Sequence, residues 1–146
     1  ALKGSESTPQ LPMERRSSII REFIERVLNQ GDIEATAHYF WPDVVEEVPL
    51  PGQGPGLDGL KEVLRGLRGS FPDLRWVVEE QIEEGDKVVT RFTWTGTHQG
   101  PFLGISPTGR SIRVWGIVID HFRGEKVAST RIIMDSLGLI TQLQGA

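Results

Sequence analysis

The sequence contains no cysteine, so neither a disulfide nor thiolate chemistry contributes to its fold or function. It has three histidines, His38, His98 and His121, and they do not cluster at ligand spacing, so no metal site is expected. Basic blocks are missing as well. Arg15-Arg16 stands alone against a net charge of −4, and no nucleic-acid partner is expected. No apolar run approaches the roughly 18 residues of a membrane-spanning helix, so no membrane partner is expected either. Neither a Gly-Lys-Ser/Thr triplet nor a dinucleotide or flavin fingerprint occurs, and the expectation for cofactors is none. The opening ALKGSESTPQLP lacks the apolar centre of a signal peptide, so residues 1–13 read as a disordered tail or leader and the location as cytoplasmic by default.

What is present suits a single domain over residues 14–146. The chain has 146 residues, 38% hydrophobic and 25% charged, enough to bury most of its apolar surface. Ile19, Ile20, Phe23, Ile24, Val27 and Leu28 recur at helical spacing, which predicts a first helix ended by Gly31. Asp32 is placed to cap a second helix, DIEATAHYF, which Pro42 should stop. DVVEEVPL reads as a short strand leading into the loop PGQGPG. Leu57, Leu60, Val63, Leu64 and Leu67 mark a third helix, with Asp58 near its start.

From Asp73 the period changes to two. DLRWVVEEQIEE, DKVVTRFTWTGTH, RSIRVWGIVIDHF and KVASTRIIM are four strand candidates, joined in part by short turns at Gly85 and Gly124. The closing DSLGLITQLQG reads as a short helix capped by Asp135. Helices first and an antiparallel sheet afterwards give an α+β fold. The strand around Trp115 is apolar on both faces, with Trp115, Ile117 and Ile119 on one of them, and such a strand needs cover on both sides. Helices can cover one face and a second subunit the other, so a homodimer is expected.

The stretch GTHQGPFLGISPTG packs four glycines and a histidine into a loop, but it lies between two strands rather than before a helix. A phosphate cradle needs the amides of a helix start, so the stretch reads as a long hairpin connection able to act as a lid. Phe102, Leu103 and Ile105 can fold over an apolar opening, and His98 reads as a hydrogen-bonded rim residue.

TGTHQGPFLGISPTGR, the turn RGEK and the ending DSLGLITQL together resemble the SnoaL-like polyketide cyclase family of the nuclear transport factor 2-like superfamily. The likeness runs from about Ser17 to Gly145. It implies a cone-shaped α+β barrel, with three N-terminal helices packed on a curved antiparallel sheet, a short C-terminal helix and usually a dimer. It also implies an apolar pocket in which an inward carboxylate, its pKa raised by burial, does acid–base chemistry. The family's key aspartate on the last strand, just after a residue matched here by Arg131, falls at Ile132, and the cyclases' histidine falls at Val118. Arg91 matches the arginine of the related epoxide hydrolases, whose neighbouring acid would fall at Thr93 or Trp94.

The remaining acids are Glu46 and Glu47, which point to opposite faces of their strand. The epoxide hydrolase register favours Glu47 as the cavity base and the cyclase register favours Glu46. Val114, Val118, Thr130, Ile132 and Met134 share one parity and should line the pocket, with Phe102 and Leu103 near its mouth and Arg91 and His98 as polar helpers. For the adjacent Asp120 and His121 the surface is expected, although one of them can turn inward. Tyr39, Trp41, Trp76, Trp94 and Trp115 read as core or interface aromatics. The partner implied is a small apolar molecule. A cofactor-independent isomerase, cyclase or hydrolase, a non-catalytic binding protein and an assembly module all remain open.

Overall fold

The apolar stripe at the start of the chain forms α1 (Arg16–Phe23), which continues as a π-helical stretch over Ile24–Asn29 and buries Ile20, Phe23, Ile24, Val27 and Leu28. The computed structural model describes residues 15–145, so the tail expected at 1–13 lies outside the described residues. Gly31, with φ +80°, turns the chain as a left-handed residue can. The next segment is a single 3₁₀ stretch, Ile33–His38, and Asp32 does not cap it. The Asp32 carboxylate accepts instead from Arg26 Nε at 3.1 Å, a cation one helical turn and a half away that outweighs a neutral amide.

Pro42 does not mark the helix end either. It lies inside β1 (Phe40–Glu46), where the strand pairing shifts register between Phe40 and Val45. β1 is an edge strand, and an edge tolerates a residue with no N–H to give. α2 (Gly56–Ser70) follows and buries Leu64 and Leu67. Then come β2 (Arg75–Glu84), β3 (Lys87–Thr97), β4 (Ser111–Arg123) and β5 (Lys126–Met134), with tight turns at Gly85 and Gly124, both at positive φ. α3 (Ser136–Gln144) closes the chain, and the Asp135 carboxylate caps it by accepting from Gly138 N at 2.9 Å.

The strands form one curved sheet in the order β1-β5-β4-β3-β2. β2 to β5 are antiparallel neighbours, while β1 returns to lie parallel to β5. Its concave side packs on α1 and α2 around Trp76, Phe92 and Trp94, whose rings stack at 4.4 and 5.9 Å from the Trp76 centroid. On β4 the even residues Ile112, Val114 and Gly116 turn inward and the odd ones outward. Gly116 is required here, since a Cβ would sit 2.6 Å from the Phe92 ring. Among the described residues no helix is long and apolar enough to cross a membrane.

Candidate functional site

Where the helices stand off from the concave sheet, they leave a cavity of about 410 Å³. Ile20, Phe23, Ile24 and Leu28 of the first helical segment form one wall, and Leu60, Val63, Leu64 and Leu67 of α2 a second. The sheet supplies Phe40, Trp76, Val118, Ile132 and Met134, and the loop after β1 supplies Val48, Pro49, Leu50 and Gln53. The surface is mostly apolar, and apart from Gln53 and Ser136 its polar side chains stand in one row. Across three adjacent strands run Glu46, Thr130 and Asp120, set side by side by the ladder: Glu46 pairs with Thr130, and Thr130 with Asp120.

Asp120 is 3% exposed, although the sequence reading placed it at the surface. Its inward turn follows from β4 remaining regular to His121, with the shift in register coming only between His121 and Phe122. His121 takes the other parity and faces out, bonded through Nε2 to Asp86 Oδ2 at 2.8 Å. Burial away from water pushes the Asp120 carboxyl up to about 7, the Thr130 hydroxyl donates to it and lowers it, and the nearby Glu46 charge raises it further. Glu46 is also raised, first by burial. The backbone amides of Val48, at 3.1 Å, and Ile132 donate to its carboxylate and oppose the rise, and Glu47 adds to it. Two carboxyls, both raised by burial, thus flank one hydroxyl.

Glu47 does not face the cavity. Its side chain is on the outer face, where Arg131 Nε donates to its carboxylate at 2.9 Å. Parallel pairing of β1 with β5 fixes this choice, since it puts Glu46 on the inward parity of Thr130 and leaves Glu47 beside the outward Arg131. Arg91 is also outside and pairs with Glu80 at 2.6 Å. Val114 turns inward but belongs to the packed core opposite Trp94, away from the cavity wall. Val118, Thr130, Ile132 and Met134 stand on the wall as their parity requires, and Phe102 with them. Leu103 projects to solvent from the tip of a two-residue turn closed by Phe102 and Ile105. Trp76 is both core and cavity wall, whereas Trp115 is half-exposed on the outer face.

His98 is fully buried rather than at a rim, and it does not line the cavity. Its Nδ1 accepts from Thr108 N at 3.1 Å, which ties the two ends of the β3–β4 connection together. Ser70 anchors the same connection by donating through Oγ to Pro101 O at 2.7 Å, so Phe102 is held against Phe71 at the cavity. The glycine-rich stretch is therefore a fixed hairpin connection that contributes one wall residue. Among the described residues no group of three acids or histidines is placed to hold a metal ion.

Since Glu47 and Arg131 form an exposed pair, Glu47→Gln is expected to change stability by less than about 1 kcal/mol. It should also leave binding in the cavity unchanged. Denaturant unfolding and calorimetry with a cavity ligand check both expectations.

The sequence model of SnoaL-like polyketide cyclases matches residues 18–143. Solved structures agree. TsrD from Streptomyces laurentii is 30% identical, with a TM-score of 0.81, over 89% of this chain and 95% of that one. A candidate polyketide cyclase from Acidithiobacillus ferrooxidans is 30% identical, with a TM-score of 0.79, over 90% and 95%. IdmH, a candidate polyketide cyclase from Streptomyces antibioticus, is 27% identical, with a TM-score of 0.76, over 90% and 99%. No curated protein sequence matches.

Proposed function

The chain belongs to the SnoaL-like polyketide cyclase family, and on that premise we propose that it is a cofactor-independent acid–base catalyst acting on a small apolar, polyketide-like molecule. The observation that carries this reading is Asp120, a buried carboxyl poised at about 7 on the wall of an apolar cavity. A group with that pKa is half ionised near neutral pH and can both take and return a proton. The carboxylate removes a proton from a carbon next to a substrate carbonyl, and the electron pair moves onto the carbonyl oxygen. The Thr130 hydroxyl, released as Asp120 takes up the proton, turns to donate a hydrogen bond to that oxygen. The proton on Asp120 then returns to the rearranged substrate.

The resemblance places the family's aspartate at Ile132, and a side chain that cannot move a proton favours a non-catalytic binding protein. Asp120 answers that objection. Ile132 pairs with Val118 in the ladder, and Asp120 enters the same cavity two residues farther along β4. The acid is supplied from the neighbouring strand. Exchange of the α-hydrogens of 2-tetralone in D₂O, followed by proton NMR, tests the reading. Acceleration above the buffer rate supports it, and binding of the ketone without any acceleration supports the binding protein.

The active form is proposed to be a homodimer. Trp115 at 49% and Ile133 at 60% exposure, with Ile117 and Val77, leave an apolar patch on the convex face. Burying such a patch contributes several kcal/mol at about 25 cal/mol per Å². Light scattering at micromolar concentration should give a dimer that Trp115→Arg splits into folded monomers. A monomeric parent protein would end this part of the reading.

A further inference from the structure

We infer that the cavity selects its ligands by charge: it takes apolar molecules bearing a protonated amine ahead of neutral ones and turns away carboxylates. The inference deepens the reading above, because it rests on the same cavity being the ligand site. Among the described residues that line it, Glu46 and Asp120 are the only ionisable side chains, and no lysine, arginine or histidine is present. The strands that build the wall do carry arginines, Arg75, Arg113, Arg123 and Arg131, but none of them lines the cavity, and Arg123 and Arg131 are paired with Asp43 and Glu47.

An anion entering the cavity would lose its water and meet two acids with no counter-charge. An ammonium meets the opposite situation. Asp120 accepts from the Thr130 hydroxyl, which leaves acceptor capacity for the three donors of an –NH₃⁺ group. The Glu46 carboxylate is already held by the backbone amides of Val48 and Ile132, so its direction is fixed before a ligand arrives. Binding of the amine releases whatever proton Asp120 carries to solvent, so that the ammonium meets a carboxylate.

The test uses three probes of one shape, 4-phenylbutylamine, 4-phenylbutanol and 4-phenylbutyrate, titrated calorimetrically at pH 8 and pH 5.5. At pH 8 the amine should bind at least about tenfold more tightly than the alcohol, and the butyrate more weakly than either. At pH 5.5, where Asp120 keeps its proton, the lead of the amine over the alcohol should shrink. Asp120→Asn should remove most of the lead of the amine over the alcohol, and far-UV circular dichroism checks that the variant is folded. Butyrate binding as tight as the amine, or an undiminished lead in Asp120→Asn, would overturn the inference. Failure of all three to bind at millimolar concentration would remove the cavity as a ligand site and the inference with it. An Asp120 carboxyl that titrates near 7 without any charge order among the probes keeps the acid–base reading and removes only this inference. A clear charge order in a protein whose ketone exchange does not depend on Asp120 does the reverse.

Discussion

Replacing Asp120 by asparagine is expected to lower proton exchange at a cavity-bound ketone by about 10²- to 10⁴-fold, the usual share of a positioned acid or base. Asparagine has nearly the volume of aspartate and keeps an oxygen that the Thr130 hydroxyl can reach, so the cavity should hold its shape. What it lacks is a proton it can give up. Affinity for a neutral ketone should therefore change little while the rate collapses, which marks an interaction made in the transition state rather than in binding. Glu46→Gln should act differently. It removes a charge that pushes Asp120 up, so the lower arm of the pH–rate profile should move to lower pH with only a modest loss of rate. Equal losses from both substitutions would mean that the two carboxyls work as one coupled pair. No loss from Asp120→Asn would leave a binding protein.

The second large effect is on stability. The folded-state pKa of Asp120 lies at about 7, above the reference of about 3.9 for an unfolded aspartate. The folded protein therefore holds a proton that the unfolded chain has released throughout that window. Stability from this group is fully present below about pH 4 and is lost as pH rises toward 7. A shift of about three units corresponds to roughly 4 kcal/mol. Glu46, shifted in the same direction, adds to the fall. Urea unfolding at a series of pH values should show this decline in the parent protein. It should be much flatter in Asp120→Asn, which should be the more stable of the two at pH 8. Parallel curves for the two proteins would contradict the burial argument.

Much of the fold was legible because local chemistry and pattern agreed. The stripe from Ile19 to Leu28, the two-residue period after Asp73, the Gly85 and Gly124 turns and the Asp135 cap each work within a few residues of chain. The inward parity of β4 and β5 was legible for the same reason. What was not legible depends on pairing between distant segments. Whether Glu46 or Glu47 enters the cavity is settled by a parallel register with Ser129 and Thr130, more than eighty residues away. Pro42 stops nothing because the chain has already entered an edge strand.

Asp120 departs from the favoured reading for a different reason. Its parity, two residues beyond Val118, permits an inward turn, but for a charged residue near a strand end the pattern favours the surface. Burial of charge is the expensive choice, and the exception falls on the cavity wall. His98 was misplaced in the opposite direction. A histidine in a glycine-rich loop suggested chemistry, while the ring works as the internal tie of a hairpin connection.

The central claim is that one buried carboxyl stays poised near neutrality inside an apolar cavity. The direct measurement is a carbon-13 NMR titration of protein labelled at the aspartate carboxyls, with Asp120→Asn used to assign the signal. The account predicts one aspartate resonance that titrates at about 7 and is absent from the variant. An Asp120 signal that titrates near 4, with the exposed aspartates, would contradict it.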